Sequence, residues 1–390
     1  MVNPKDFSTR TNFIPRKNAS AGDYWGVALD IGYSAVKGMS PNHVFCFPSF
    51  ARRFTGKMMT DIAASSPHDI QYRNENGEIW NVGLMAQEAI NSDDSNDSIY
   101  SLYGRNRYCS PMFLVIARVG LAFSLVSNEF GDPTGKTLVL QTGLPPAYIK
   151  SDSADLKAAL SGHHEFDVRV GGGDWRHFSF DLPEDNIRVM PQPMGSFFSA
   201  VLTNEAEQLP SAKKLLTSNV LIFDAGFGTV DVYSIRNRQI ENSQSFDDCG
   251  MKAVLMETCE GILNKFNTEI PVHAMQKYLR EAQIRVFNRR ARNSSFEAFD
   301  DLLEAASQKV CNIALDRMEA TYNSLLDYDY LLVTGGTGAA WFDLITERYA
   351  GMETLQIITG SQNDTLSHIY SNVRGYYLHQ AGKLQRVINK

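Results

Sequence analysis

Cysteine is scarce in this sequence, and the few cysteines that it has are scattered. The 390 residues include five of them, with no Cys-x-x-Cys pair. An odd number of widely spaced cysteines does not build a disulfide framework and gives no sign of a structural zinc site. The pattern is typical of reduced thiols, so we expect a cytoplasmic protein.

Long hydrophobic runs are also missing. No apolar run approaches the roughly 18 residues that a membrane-spanning helix needs. The first 22 residues contain basic side chains but no continuous apolar segment like that of a signal peptide. We interpret residues 1–22 as a mobile N-terminal tail and expect no membrane association.

Positive charge does not dominate the sequence. Lys and Arg number 37 against 44 Asp and Glu, which gives a net charge of −7. This balance argues against a broad basic surface that wraps nucleic acid. We therefore expect no direct contact with DNA.

The sequence lacks a true P-loop as well. The stretch "GDPTGKT" at 131–137 has too few residues between its glycines, and "TLVLQT" after its lysine is typical of a strand rather than a helix. Any nucleotide must therefore be bound by a different phosphate-binding motif.

What the sequence does contain is one kind of turn, used twice. "YWGVALDIGYSAVK" (24–37) and "NVLIFDAGFGTVDVYS" (219–234) each run an apolar strand into Asp-x-Gly and then a hydroxyl residue. Glycine lets backbone N–H groups approach a polyphosphate without a Cβ in the way. One such turn could be an ordinary hairpin. Two of them, with a further glycine turn at 335–338, predict paired phosphate-binding devices.

The acidic residue of each turn predicts a metal ion. Asp30 and Asp224 would repel phosphates unless a hard cation lay between them and the ligand. Mg²⁺ keeps several of its waters and takes few protein carboxylates. We therefore expect both residues to face Mg²⁺ through water, and we interpret Asp231 as a brace for its own hairpin.

The order of elements predicts two α/β domains of related design. The length of 390 residues favours two domains. In the first half, predicted strands at 24–29, 35–40 and 43–47 precede a predicted buried helix at 110–126. The second half repeats strand, turn and strand, followed by a mostly helical stretch at 250–326 and a buried strand with a glycine turn. Similar order in each half predicts two α/β domains of related design with a cleft between them.

At this level of detail a family resemblance emerges. Four stretches resemble, in order, the phosphate 1, connect 1, phosphate 2 and adenosine motifs of the actin, sugar kinase and seventy-kilodalton heat-shock superfamily: "LDIGYSAVK", "VMPQPMGSFF", "IFDAGFGTVD" and "LLVTGGTGAAWFD". Within it, residues 23–385 most resemble the bacterial plasmid-segregation actins of the ParM type. The resemblance implies an α/β, actin-like (ribonuclease H-like) two-domain fold with a nucleotide cleft between the domains. It places domain I at 23–195 plus 365–390 and domain II at 196–364.

The resemblance also implies roles for individual residues. Gln192 falls where the superfamily keeps the Glu or Gln that positions the attacking water, and with Asp224 and Asp30 it forms the expected catalytic set. The plasmid-segregation actins resemble the Glu type, so this sequence departs from them and is similar to eukaryotic actin in using Gln. An amide orients water but is a poor base, so we expect slow, assembly-coupled hydrolysis. The implied nucleotide-binding residues are Gly32, Ser34, Lys37, Gly226, Gly228, Thr229, Gly335, Gly336 and Thr337.

The function implied by the resemblance is that of a filament-forming ATPase. It uses Mg²⁺ and ATP, with GTP left open as a second nucleotide. Its partners are other copies of itself, in a polar filament, and a small DNA-binding adaptor of the ParR type that links the filament to plasmid DNA. Two alternatives stay open: a non-polymerising ATPase switch, and a small-molecule kinase, for which we identify no catalytic Asp and no sugar or acid pocket.

Overall fold

The structure, a computed structural model, describes residues 3–54, 66–89, 105–237, 239–288 and 290–388. These residues form two compact units. Unit I contains the described residues of 9–89, 95–209 and 370–390, and unit II contains those of 1–8 and 210–369.

Strands and helices alternate along the chain. The strands are β1 (Asn12–Pro15), β2 (Tyr24–Ile31), β3 (Ala35–Met39), β4 (His43–Pro48), β5 (Ala51–Arg53), β6 (Ile70–Asn74), β7 (Ile79–Val82), β8 (Thr137–Leu144), β9 (Gly162–Val170), β10 (Arg176–Leu182), β11 (Ile187–Pro191), β12 (Val220–Ala225), β13 (Val230–Arg236), β14 (Gln239–Phe246), β15 (Ile284–Asn288), β16 (Asn293–Glu297), β17 (Tyr330–Thr334) and β18 (Gln356–Thr359). The α-helices are α1 (Leu84–Glu88), α2 (Pro111–Ser124), α3 (Ile149–Leu160), α4 (Gln192–Val201), α5 (Ala212–Thr217), α6 (Met251–Phe266), α7 (Met275–Glu281), α8 (Asp300–Thr321), α9 (Gly336–Arg348) and α10 (Ser371–Ile388). In this described part of the chain, no helix is both long and apolar enough to cross a membrane.

Unit I is organised around a six-stranded sheet of order β1-β4-β3-β2-β8-β11. Strands β2, β8 and β11 run parallel, and the remaining neighbours are antiparallel. The apolar strand β2 is buried along nearly its whole length, as expected for a central strand covered on both faces. Helix α2 begins at a Ser110 cap followed by Pro111, both favoured at helix starts. A second, antiparallel sheet of order β10-β9-β6-β7-β5 completes the unit.

Unit II repeats this plan. Its five-stranded sheet has the order β14-β13-β12-β17-β18, with β12, β17 and β18 parallel. The strands β4-β3-β2-β8-β11 of unit I have the same order and the same pattern of directions. Helices α6, α8 and α9 supply the apolar residues that cover the unit II sheet. The predicted class, two α/β domains of actin-like design, is confirmed.

The unit boundaries differ from the predicted domain boundaries. The prediction divides the chain after 195 and after 364, whereas the units divide after 209 and after 369. The whole of α4 lies in unit I because α10 packs closely along it: a Cβ at Gly375 would come within 1.6 Å of the Gly195 carbonyl oxygen.

Part of the segment interpreted as a tail has regular structure. Strand β1 pairs with β4, and the ring of Phe13 packs edge-on against Phe123 with 4.7 Å between centroids. Phe7, in a short 3-10 helix, contributes to the apolar core of unit II. The segment expected to be mostly helical, 250–326, also contains an unexpected hairpin, β15–β16.

Candidate functional site

The first Asp-x-Gly turn joins β2 to β3 in unit I. The Gly32 N–H donates to the Ala35 carbonyl across the turn, at 3.1 Å. Ser49, just beyond β4, donates its hydroxyl to the Gly32 carbonyl at 2.7 Å and its N–H to the Ser34 carbonyl at 2.9 Å. These bonds hold the predicted site residues Gly32 and Ser34 in one backbone conformation.

Three predicted site residues of unit I meet at the Asp30 carboxylate. Asp30 is buried at the end of β2, and Lys37 Nζ lies 3.1 Å from its Oδ2. Gln192, the first residue of α4, donates its side-chain N–H to Asp30 Oδ1 at 3.4 Å. The ion pair and the amide hydrogen bond offset the cost of burying this carboxylate.

Arg107 is a residue of this turn that the sequence interpretation missed. It is buried and donates to the Ile31 carbonyl at 2.9 Å. Its guanidinium also lies 4.6 Å from the centroid of the Tyr33 ring. Arg107 thus fixes the backbone at Ile31, between Asp30 and Gly32 of the turn. No local motif marks it, since it lies 76 residues from Ile31 in the chain.

The second turn, in unit II, joins β12 to β13. Its Gly226 N–H donates to the Thr229 carbonyl at 2.9 Å, like the corresponding bond of the first turn. The Gly226 carbonyl accepts from the Met251 N–H at 3.2 Å and from the Thr337 hydroxyl at 2.7 Å. Thr337 and Gly226, which were assigned to different motifs, are therefore hydrogen-bond partners. Gly228 lies between Gly226 and Thr229 in the same turn.

Two carboxylates face each other across the strands of this turn. Asp224 and Asp231 are cross-strand partners, and both are buried. Asp231 accepts hydrogen bonds from the Thr229 hydroxyl, at 3.2 Å, and from the Ser245 hydroxyl. Burial raises the pKa of Asp231 to about 7, and the negative charge of Asp224 adds to this effect. The geometry agrees with the interpretation of Asp231 as a brace for its hairpin.

The third glycine turn packs directly on the second. Gly335 has φ +84°, and a Cβ there would lie 2.2 Å from the Ala225 carbonyl oxygen and 2.7 Å from Asp224 Oδ1. Only glycine fits this position without strain. Helix α9 begins at Gly336, so the start of a helix lies beside the metal-facing carboxylate predicted from the sequence.

Each turn supplies one predicted metal-facing carboxylate, which suits a water-mediated Mg²⁺ rather than a direct protein cage. Among the described residues, no group of three or more His, Cys, Asp or Glu side chains could hold a metal ion. Mg²⁺ commonly takes only one or two carboxylates and keeps waters elsewhere. Asp224, buried at the end of β12, is the carboxylate of this turn that would face such a cation through water.

Comparison with known proteins agrees with this architecture. Residues 28–195 match the family model described as the N-terminal domain of actin like proteins. A search of curated proteins found no match.

Solved structures are similar over nearly the whole chain. A 15-stranded ParM filament from Clostridium botulinum is 18% identical, with 93% of this chain and 99% of that chain covered and a TM-score of 0.71. A non-polymerisable quadruple mutant of pCBH ParM is 19% identical, with 92% and 99% covered and a TM-score of 0.68. An archaeal actin homologue in complex with ADP is 16% identical, with 92% and 99% covered and a TM-score of 0.61. The chain therefore has an actin-like fold, and its residues 28–195 match the N-terminal domain of the actin-like proteins.

Proposed function

We propose that this chain is an ATPase that binds ATP with Mg²⁺ and uses hydrolysis to control its own assembly into filaments. The observation that carries the proposal is the repeated turn. An Asp-x-Gly turn follows β2 in unit I and β12 in unit II. These are equivalent strands, because β4-β3-β2-β8-β11 and β14-β13-β12-β17-β18 have the same order. Repetition of a phosphate-binding turn in both units is what a ligand with several phosphates requires, and both turns would contact the same nucleotide.

The proposed roles follow from donor chemistry. Gly32 and Gly226 let backbone N–H groups approach phosphate oxygens, and the hydroxyls of Ser34 and Thr229 add donors. Lys37 would break its ion pair with Asp30 and pair with the phosphates instead. The remaining members of these motifs, which would complete the phosphate and adenosine contacts, are Gly228, Gly335, Gly336 and Thr337.

Hydrolysis would depend on Gln192, with Asp30 and Asp224 ordering the waters around the cation. Mg²⁺, when bound, would neutralise charge that develops on the phosphates. The Gln192 amide orients a water toward the terminal phosphorus. The water oxygen bonds to this phosphorus as the bond to the bridging oxygen of ADP breaks, and the water proton passes to the released phosphate. Because an amide is a weak base, the water keeps its proton until late in the reaction. Slow turnover is the expected result.

Assembly is proposed from the combination of nucleotide turns and filament-forming relatives. Solved structures similar to this chain include a ParM filament and an Alp12 filament. A conformation that depends on the terminal phosphate can strengthen or weaken a contact between copies. We propose that the filament is polar, decays as ADP accumulates, and is linked to plasmid DNA by a small DNA-binding adaptor of the ParR type. GTP remains open as a second nucleotide.

The test is sedimentation and light scattering of the purified chain with Mg-ATP, a non-hydrolysable ATP analogue, or Mg-ADP. We expect concentration-dependent assembly with the first two and disassembly as ADP forms. Calorimetric titration with and without EDTA tests the metal. Asp224→Ala should weaken Mg-ATP binding or abolish hydrolysis, whereas the control Glu353→Ala, at an exposed carboxylate, should match wild type.

The alternative to assembly is a non-polymerising ATPase switch. A chain that binds Mg-ATP yet stays monomeric at several tens of micromolar with the analogue bound would support it. At that concentration, contacts worth about 6 kcal/mol are populated. Phosphate transfer to a small molecule at a rate above ATP hydrolysis would instead support the kinase alternative.

A further inference from the structure

The unexpected hairpin β15–β16 has one face anchored and one face open. The two strands pair in antiparallel register, with Ile284 opposite Glu297 and Arg285 opposite Phe296. Ile284 is fully buried, and Val286 packs against the core of unit II. Because side chains alternate along a strand, the anchored face fixes the opposite face toward solvent.

That open face carries two aromatic side chains. Phe287 is 61% exposed and Phe296 is 62% exposed, which makes them the most exposed phenylalanines in the described part of the chain. They are diagonal neighbours across the pair, since Phe287 lies opposite Ser294. Clustered exposed aromatics of this kind mark interaction surfaces.

The hairpin is also basic on an acidic protein. Residues 284–297 contain four arginines and one glutamate, whereas the whole chain has a net charge of −7. Arg285 lies on the same open face as the two phenylalanines, and its side chain is exposed. A basic, aromatic surface of this type is complementary to a partner of net negative charge, and a second copy of this chain is such a partner.

Unit I contains a pocket that suits these aromatic side chains. Its volume is about 350 Å³, and its apolar walls include Phe45, Phe123 and Phe178, with Asp174 and Arg176 also lining it. Phe45 and Phe123 are already in edge-to-face contact, with 5.6 Å between centroids. An inserted phenylalanine ring would extend this aromatic cluster in the geometry that such rings prefer.

Three titratable side chains line the pocket: His43, Asp174 and Arg176. Burial lowers the pKa of His43, which keeps that wall neutral. The Arg176 guanidinium lies over the Phe178 ring at 5.3 Å. Asp174 is exposed, so its carboxylate is the group of this pocket that an incoming Arg285 would pair with.

We propose that the open face of β15–β16 inserts Phe287 and Phe296 into this unit I pocket on the next copy of the chain, with Arg285 paired to Asp174. The inference rests on the proposed assembly and names its contact surfaces. The hairpin and the pocket are different surfaces, so the contact is heterologous. A contact of that kind propagates into a filament unless the rotation closes a ring.

The first test replaces the two aromatics. Phe287→Ser with Phe296→Ser should raise the critical concentration for assembly by at least about tenfold, as for central aromatic residues of an interface. Binding of the ATP analogue, measured by calorimetry, should stay at the wild-type level. The matched control is Leu326→Ser, which removes another exposed apolar side chain of unit II and should leave assembly unchanged.

The second test identifies the receiving surface. Val170→Trp fills the pocket from its half-buried wall and should also block assembly. Each blocked variant keeps one working surface, so an equimolar mixture of the two should form dimers by light scattering but no filaments. A mixture that stays monomeric would overturn the assignment of the pocket.

A charge exchange covers the case in which Val170→Trp does not fold. Arg285→Asp alone and Asp174→Arg alone should each weaken assembly, and the double variant should recover most of it. Wild-type assembly by the double serine variant, or no recovery in the charge exchange, would refute this contact while leaving the proposed function intact. Failure of the wild type itself to assemble would refute the proposed function first.

Discussion

Lys37 and Asp30 are direct cross-strand partners, and their side chains form an ion pair at 3.1 Å. Both side chains are largely buried, with 16% and 5% of their surface exposed. The two residues occupy the strands on either side of the first Asp-x-Gly turn. The pair therefore links the stability of unit I to the state of its proposed phosphate-binding turn.

The first prediction concerns this pair. Lys37→Met should lower the free energy of unfolding by about 3 kcal/mol, because it leaves the buried Asp30 carboxylate without its cation. Lys37→Met combined with Asp30→Asn should be less destabilised than Lys37→Met alone. Urea denaturation of the wild type, Lys37→Met, Asp30→Asn and the double variant gives the coupling energy. Strictly additive losses of unfolding free energy in the two single variants would show that the ion pair contributes nothing to stability.

The second prediction concerns Gln192. Gln192→Ala should slow ATP hydrolysis by about 10- to 1,000-fold with little loss of ATP affinity, in the range of losing one oriented catalytic group. Single-turnover hydrolysis and calorimetry measure the two quantities. Equal losses in both would make the residue structural, and an unchanged rate would remove it from the mechanism.

The third prediction concerns Gly335. Gly335→Ala should destabilise unit II by about 2–4 kcal/mol, since the residue has a positive φ and its Cβ would clash with the backbone at Ala225. Gly351→Ala is the control, because a Cβ there meets nothing within 4 Å. Thermal unfolding compares the two variants, and similar stabilities would contradict the packing described for the third glycine turn.

The fourth prediction is a pH dependence centred on His379. Burial lowers its pKa to about 4, and the positive charges of Lys383, Arg188 and Arg386 act in the same direction. The ring stacks on Phe198 with 4.1 Å between centroids. Since the unfolded state binds this proton more readily, the stabilising contribution is full above pH 6.5 and is lost as the pH falls toward 4.

The corresponding measurement is chemical denaturation at pH 7 and pH 5. The wild type should lose up to about 2 kcal/mol at His379 between these values, and less to the extent that solvent screens the partly exposed ring. His379→Phe keeps an aromatic ring on Phe198 and removes the titration, so its loss over the same range should be smaller by that amount. Identical pH profiles for the two proteins would contradict a half-buried histidine that is neutral at pH 7.

Some of the fold was predictable because its signals are local. Apolar runs ending in Asp-x-Gly, such as the one that ends in Asp30, identified β2 and β12 and the turns after them. Alternation of apolar and polar residues on both sides of the glycines at 171–173 is also a local pattern, and it is typical of a hairpin such as β9–β10. Repetition of the same element order predicted two related α/β units, and the matching strand orders confirm it.

The sequence by itself determined the elements, the turns and the residue types at the candidate site, because backbone propensity and glycine freedom act over a few residues. Tertiary structure decided which distant residues they contact. Gln192 reaches Asp30 across 162 residues of chain, and Arg107 reaches the first turn across 76. The outward face of Phe287 likewise follows from which side of its hairpin the core covers. Contacts between distant segments depend on how whole sheets and helices pack, and no local pattern encodes that packing.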